Sequence, residues 1–278
     1  YSFLLGVALV PGQSSLMTMM QLAVPDLKRG RVGSALNALT TAAGLVSMAA
    51  ARAGWRIVAA EALVRWRHPD KGLLGPGGFI EVAEQSGLIN PIGEYVLREA
   101  LRVAGHWQAQ VDYPVSMHVN ISAHQLKQDG FVAKVQALLA ESGISPSLLD
   151  LEITERVAMH QAESSLYTLR SLKNLGVGLT IDDFGTGYSS LTHLQHLRYD
   201  ALKIDRSFVC SLGNGGEARP LVETILAVAG KMGIGVVAEG IETAGQAAAL
   251  RELRCPHGQG YWFAKPVSAG GAEQLLHH

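Results

Sequence analysis

The sequence predicts an α/β protein built as a (β/α)8 barrel of the TIM type. From Trp55 onward, short β-branched or apolar runs alternate with helix-length amphipathic segments, as in a parallel sheet with crossover helices. Seven such runs are visible, and an eighth strand upstream would close a barrel of about 220–240 residues, within the usual size range. The runs also end repeatedly in a polar or acidic residue, as expected where a barrel carries its site at the C-terminal ends of its strands. An open doubly wound sheet is the competing architecture. No Gly-rich phosphate fingerprint follows the first run, although dinucleotide binders of that fold would show one.

At 278 residues, with 48% hydrophobic and 17% charged side chains, the chain can bury a large core. Disordered, collagen-like, coiled-coil and disulfide-scaffold classes are excluded. Lys and Arg total 23 against 24 Asp and Glu, a net charge of −1. No global basic field draws the protein to a DNA or RNA polymer, so phosphate recognition must come from a local site. Cys210 and Cys255 fit no C-x-x-C or Cys/His ligand spacing, which suits two packed thiols in a reduced, cytoplasmic compartment. The ten histidines are scattered, and the close groups His193/His196 and His277/His278 lack a third partner, so they read as solvated surface rather than a zinc site.

Residues 1–55 read as an atypical N-terminal segment, and 56–278 as the main domain. Tyr1–Pro25 and Val32–Ala51 carry no charge and match the ~20 residues that span a bilayer. Pro11, Gln13, Ser14 and Ser15 break the first, and small polar residues weaken the second, so a buried or irregular lead-in helix is expected and membrane association is not. The strands that follow are expected at Ile57–Ala62, Val115–Asn120, Leu149–Thr154, Val177–Asp182, Ala201–Asp205, Gly235–Glu239 and Gly258–Phe263. Helices are expected near Gly77–Gly87, Ile92–Gln110, Gly130–Ser142, Gln161–Leu175, Glu217–Met232 and Ala244–Leu253. Gly143, Gly176 and Gly233 stand just past helix ends, where a left-handed residue is wanted.

The strand ends supply Glu61, Asn120, Glu152 with Glu155, Asp182 with Asp183, Lys203 with Asp205, Glu239 with Glu242, and Gln259. So many acids in one mouth would repel and raise one another's pKa, an arrangement that makes sense with divalent cations between them. An oxygen-only donor set points to Mg²⁺ or Mn²⁺ rather than zinc. Adjacent carboxylates at a strand end, where alternation breaks, can bridge two ions at the ~3.5–4 Å separation of a two-metal site. A solvated turn also explains an Asp-Asp pair, but Phe184-Gly185-Thr186-Gly187-Tyr188 follows here as a Gly-rich turn. Lys203, inward-facing on an apolar strand, needs acids or phosphate as partners; a plain ion pair with Asp205 is the alternative.

Glu61-Ala62-Leu63-Val64-Arg65-Trp66 resembles the signature of the EAL-domain family of cyclic di-GMP phosphodiesterases. The resemblance continues through Phe79–Glu84, Val119–Ser122, Leu151–Glu155, Ile181–Tyr188, Leu202–Asp205, Val237–Thr243 and Gln259–Tyr261, and covers the chain from about Arg56 onward. It implies a modified barrel with one antiparallel strand, which hydrolyses one phosphodiester of cyclic di-GMP to give linear pGpG. It further implies that Glu61, Asn120, Glu152 and Asp182 hold one ion, and Asp182, Asp183 and Glu239 a second. Lys203, Glu239 and Gln259 would serve the attacking water. Leu63, Arg65, Asp205 and Glu242 would contact substrate, and Glu155 would anchor the Asp182–Gly185 loop that couples the site to a homodimer interface.

Upstream of Arg56 the resemblance stops. The family's first strand carries a Tyr-Gln-Pro-like stretch some fifteen residues before the signature glutamate, whereas this chain has Leu45–Ala51 there. Asp26–Arg29 resembles the family's opening helix, so residues 29–55 have the family's spacing without its chemistry, as an altered reading frame would produce. The first strand is therefore the open question of the fold. A barrel left open at that edge would be a cyclic di-GMP receptor or scaffold without turnover, the alternative to a phosphodiesterase.

Overall fold

The computed structural model describes residues 2–9, 56–159, 163–187, 197–212 and 218–277. Eight parallel strands form a closed ring: β1 (Ser2–Leu9), β2 (Arg56–Val64), β5 (Ser116–Asn120), β6 (Leu149–Thr154), β7 (Gly178–Phe184), β8 (Ala201–Ile204), β9 (Gly235–Ala238) and β10 (His257–Gly258). A hairpin, β3 (Trp66–His68) with β4 (Gly72–Leu74), follows β2, and β11 (Val267–Ser268) lies along β1. The strands alternate: the face covered by helices is apolar, with Leu149, Leu151, Ile153, Leu179, Ile181 and Ile204 fully buried, whereas Glu152, Thr180 and Lys203 are buried on the opposite, inward face.

The missing first strand is Ser2–Leu9, far upstream of where the family pattern places it. It pairs with β2 from Ser2 opposite Arg56 to Leu9 opposite Val64, with one register shift after Phe3. On its other side Ser2 meets His257 and Phe3 meets Gly258, which closes the ring. The antiparallel strand that the resemblance implies is absent among the described strands: every pairing in the ring is parallel. Connection length permits the parallel pairing. A short hairpin forces antiparallel pairing, but residues 10–55 exceed the dozen or so needed for a parallel crossover. The readings of Asp26–Arg29, Val32–Ala51 and the altered-frame segment 29–55 lie outside the described residues, as do Tyr188, His193 and His196.

Helices α1 (Ile80–Ser86), α2 (Ile89–Gln108), α3 (Ala123–Leu126), α4 (Phe131–Ser142), α5 (Glu155–Met159), α6 (Glu163–Asn174), α7 (Arg206–Leu212), α8 (Arg219–Met232), α9 (Ala244–Glu252) and α10 (Ala269–Leu276) follow the strands. In α2 the buried positions Val96, Leu97, Ala100, Leu101, Ala104 and Trp107 recur at helical spacing and make one continuous inner stripe. Each large side chain buried there contributes about 1.5–3 kcal/mol. Gly143, Gly176 and Gly233 adopt φ of 69°, 89° and 68°, the left-handed stop expected of them. No helix among the described residues is long and apolar enough to cross a membrane.

Two further expectations change. Of the run Gly258–Phe263 only Gly258 is in a strand, as the second residue of β10, because the backbone at Gly260 passes so close to Ile241 that a side-chain carbon there would lie 2.2 Å from the Ile241 carbonyl oxygen. The chain must turn, and Phe263 N–H closes that turn on the Gly260 carbonyl. The helix expected from Gly77 begins as a 3₁₀ turn, Pro76–Gly78, and becomes α-helical only at Ile80.

Candidate active site

The C-terminal ends of the strands converge on one ammonium group. Lys203, near the end of β8, is 1% exposed, and its Nζ lies 2.7 Å from Glu239, 2.9 Å from Glu152, 3.3 Å from Glu61 and 3.6 Å from Asp182. Four strands thus each deliver a carboxylate to one lysine. Asp205 is not its partner. Asp205 instead accepts from the Ser207 N–H and hydroxyl at the start of α7, which removes the simple Lys203–Asp205 pair.

Glu61 is fixed from three sides. Asn120 Nδ2 donates to its Oε1 at 2.7 Å, while Gln259 Nε2 at 2.7 Å and Lys203 share Oε2. Burial opposes its charge, but Lys203 and the Gln259 and Asn120 amides outweigh burial and hold its pKa below the usual carboxylate value. One ammonium cannot do this for every acid. Burial drives Glu152 well above its ordinary pKa and Glu239 up to about 8, in each case against the offsetting charge of Lys203. Lys203 in turn is held strongly protonated: burial opposes its charge, and Glu152, Glu239, Glu61 and Asp182 overcome that opposition.

The Asp182–Asp183 pair breaks strand alternation, as its sequence suggests. Pairing of β7 with β8 slips between Ile181 and Phe184, and Asp183 sits at φ 54° in the left-handed region. One carboxylate oxygen from each of Asp182, Asp183 and Glu239 falls within 4.8 Å of the other two. Burial and the Asp182 charge raise the pKa of Asp183. This excess of negative charge and all-oxygen donor set fit hard divalent cations. Behind the pair, Glu155 accepts from Gly185 N–H at 2.7 Å and Gly187 N–H at 3.3 Å, tying the loop to the start of α5. A side-chain carbon at residue 187 would lie 2.8 Å from Glu155 Oε1, so any larger residue there would displace the Glu155 carboxylate.

The outer candidates separate from this centre. Leu63, near the C-terminal end of β2, and Arg65, just past it, are half-buried, with Arg65 Nη1 donating to the Val64 carbonyl at 2.9 Å. Glu242 is exposed and pairs with Arg206 at 2.8 Å. Neither Asp205 nor Glu242 joins the carboxylates around Lys203.

One site residue escapes the sequence reading, which places the histidines on the surface. His118 is 7% exposed, and its Nδ1 lies 2.8 Å from Glu152 Oε1. The signal was present: His118 stands two residues before Asn120 on β5, hence on the same strand face.

Fold and site together define a (β/α)8 barrel with an acid-rich, lysine-centred cluster at the C-terminal ends of its strands. Residues 50–266 match the EAL domain family, and the chain belongs to that family. It is 42% identical over 222 residues to the cyclic di-GMP phosphodiesterase NbdA of Pseudomonas aeruginosa, covering 78% of this chain and 28% of NbdA. The chain therefore spans a minor part of that relative's length. Among solved structures, the MucR phosphodiesterase in its c-di-GMP complex is 42% identical with a TM-score of 0.74, over 79% of this chain and 87% of that one. The Klebsiella pneumoniae BlrP1 structure, a manganese and cyclic di-GMP complex, is 25% identical with a TM-score of 0.65, over 74% and 51% of the two chains.

Proposed function

We propose that this chain is a phosphodiesterase that uses two Mg²⁺ or Mn²⁺ ions to hydrolyse cyclic di-GMP to linear pGpG. The observation that carries the proposal is the convergence of Glu61, Glu152, Asp182 and Glu239 on buried Lys203, with Asp183 beside them. Glu61, Asn120, Glu152 and Asp182 would hold one ion, and Asp182, Asp183 and Glu239 the other. When bound, such ions supply Lewis-acid activation of water and neutralise charge on the phosphoryl group. Lys203 would orient the attacking water by donating to it, and Glu239 would accept its proton. Gln259, already held against Glu61, would add a hydrogen bond near that water. Arg65 would grip a phosphate oxygen as a charge-assisted fork, and Leu63 would lie against a guanine face. Asp205 and Glu242 would complete the substrate contacts from the α7 side, and Glu155 would keep the Asp182–Gly185 loop in register with a homodimer interface.

The receptor alternative rests on an open barrel edge. Pairing of β1 with both β2 and β10 weighs against it. The test incubates the chain with cyclic di-GMP and Mn²⁺ or Mg²⁺ and follows pGpG by chromatography beside an Asp182→Ala control. Product that requires both the metal and Asp182 supports the enzyme. Tight cyclic di-GMP binding without product would transfer the assignment to a receptor.

A further inference from the structure

We propose that His118 is a positioning residue that fixes the Glu152 carboxylate for cation binding. Glu152 is 1% exposed and cannot be oriented by solvent. Its two oxygens face different partners: Oε2 accepts from Lys203 at 2.9 Å, and Oε1 faces His118 Nδ1 at 2.8 Å. Strand register makes this contact. Asn120, not His118, is the residue level with Glu152, while His118 is level with Asp150 and, on its other side, Glu61. The imidazole thus reaches diagonally across β6, below the mouth, and braces Glu152 from beneath. Ser116 Oγ, which reaches the Val58 carbonyl at 3.3 Å, lies 3.4 Å from His118 Nε2, and Asp150 Oδ1 lies 3.9 Å from Nδ1. Ser116 and Asp150 thus flank the ring.

A neutral imidazole with its proton on Nδ1 donates to Glu152 and leaves Nε2 as acceptor. That proton locks one Glu152 oxygen, so the carboxylate meets an incoming cation without rotating. Such partners of ligating side chains typically change metal affinity by about 10–100-fold when removed. The inference rests on Glu152 being a cation ligand, as proposed above.

The test measures Mn²⁺ affinity by titration calorimetry for the wild-type chain, His118→Leu and His118→Asn, with folding checked by circular dichroism in EDTA. Leucine should weaken Mn²⁺ binding by about 10–100-fold. Asparagine, whose amide nitrogen can occupy the place of Nδ1, should restore most of it. His-selective ¹⁵N NMR of the wild-type, metal-free chain adds a readout that needs no variant to fold: His118 should show the Nδ1–H tautomer. An Nε2–H tautomer, or a folded His118→Leu with Mn²⁺ affinity within about twofold of wild type, overturns the inference. A wild-type chain that binds no Mn²⁺ would instead refute the underlying cation reading and take this inference with it.

Discussion

Replacing Lys203 with methionine leaves four carboxylates facing one another without their shared cation. Met matches the lysine stem in length, so packing changes little and electrostatics dominates. Removing one partner of a buried ion pair costs about 3–5 kcal/mol, because the remaining charge stays desolvated. In a domain of this size about 1 kcal/mol shifts the midpoint by 2–4 °C, so metal-free Lys203→Met should melt about 6–20 °C below wild type. The deficit should also depend on pH. Glu239 already has its pKa raised to about 8, and loss of the ammonium raises it further. A carboxyl whose folded pKa exceeds its unfolded value adds stability while protonated and loses it as pH rises through the folded pKa. The gap between variant and wild type should therefore be wider at pH 9 than at pH 6. Mn²⁺ should narrow it, since a site without the ammonium is more negative and binds the cation more tightly than wild type does; each tenfold difference in Kd closes the gap by about 1.4 kcal/mol. Differential scanning fluorimetry in EDTA and in excess Mn²⁺ reads all three effects. A metal-free variant that melts with wild type at pH 9 would refute the counter-charge role of Lys203.

Three other outcomes follow from the geometry. Gly187→Ala should push the Glu155 carboxylate away from the Gly185 and Gly187 amides, and the proposed cyclic di-GMP turnover should fall while far-ultraviolet dichroism stays unchanged; full turnover would show that the loop does not need this anchor. Leu5→Pro removes a backbone donor from a strand paired on both sides, so it should cost at least the ~1 kcal/mol of one ladder bond; an unchanged melting point would argue that β1 does not close the barrel. Cys255 is buried and its thiol is raised to about 11, chiefly by burial, whereas Cys210 is partly exposed. Maleimide at pH 8 should label Cys210 first and Cys255 only on unfolding, and between pH 9 and 11 Cys255 should make the fold less stable as pH rises; equal labelling rates would contradict its burial.

Most of the barrel was legible because each strand announces itself locally. Runs such as Leu149–Thr154 alternate apolar and polar residues, end in a polar residue and are followed by a helical stripe. The carboxylates, Lys203 and Gln259 were readable for the same reason, since they occupy strand ends. What the chain did not announce is long-range pairing. Nothing in Ser2–Leu9 says that it will lie between Arg56 and His257, because that choice is made by partners far away in sequence. His118 was missed for a different reason: composition treats histidines one by one, whereas the two-residue period from Asn120 places this one inside. Gly260 was passed over because only the approach of Ile241 shows why the last strand must stop.

Asp183 shows that the chain is not optimised for rigidity. A non-glycine residue in the left-handed region costs about 1–2 kcal/mol, less for Asp or Asn than for others, and glycine would occupy it freely. The carboxylate at 183 is what glycine cannot supply. A library sorted only for heat resistance would therefore tend to replace Asp183, and its winners would be sturdier barrels lacking one carboxylate of the proposed cation site. Selection for durability and selection for chemistry pull this one position in opposite directions, so any engineered variant of the chain should be screened for Mn²⁺ binding alongside its melting point.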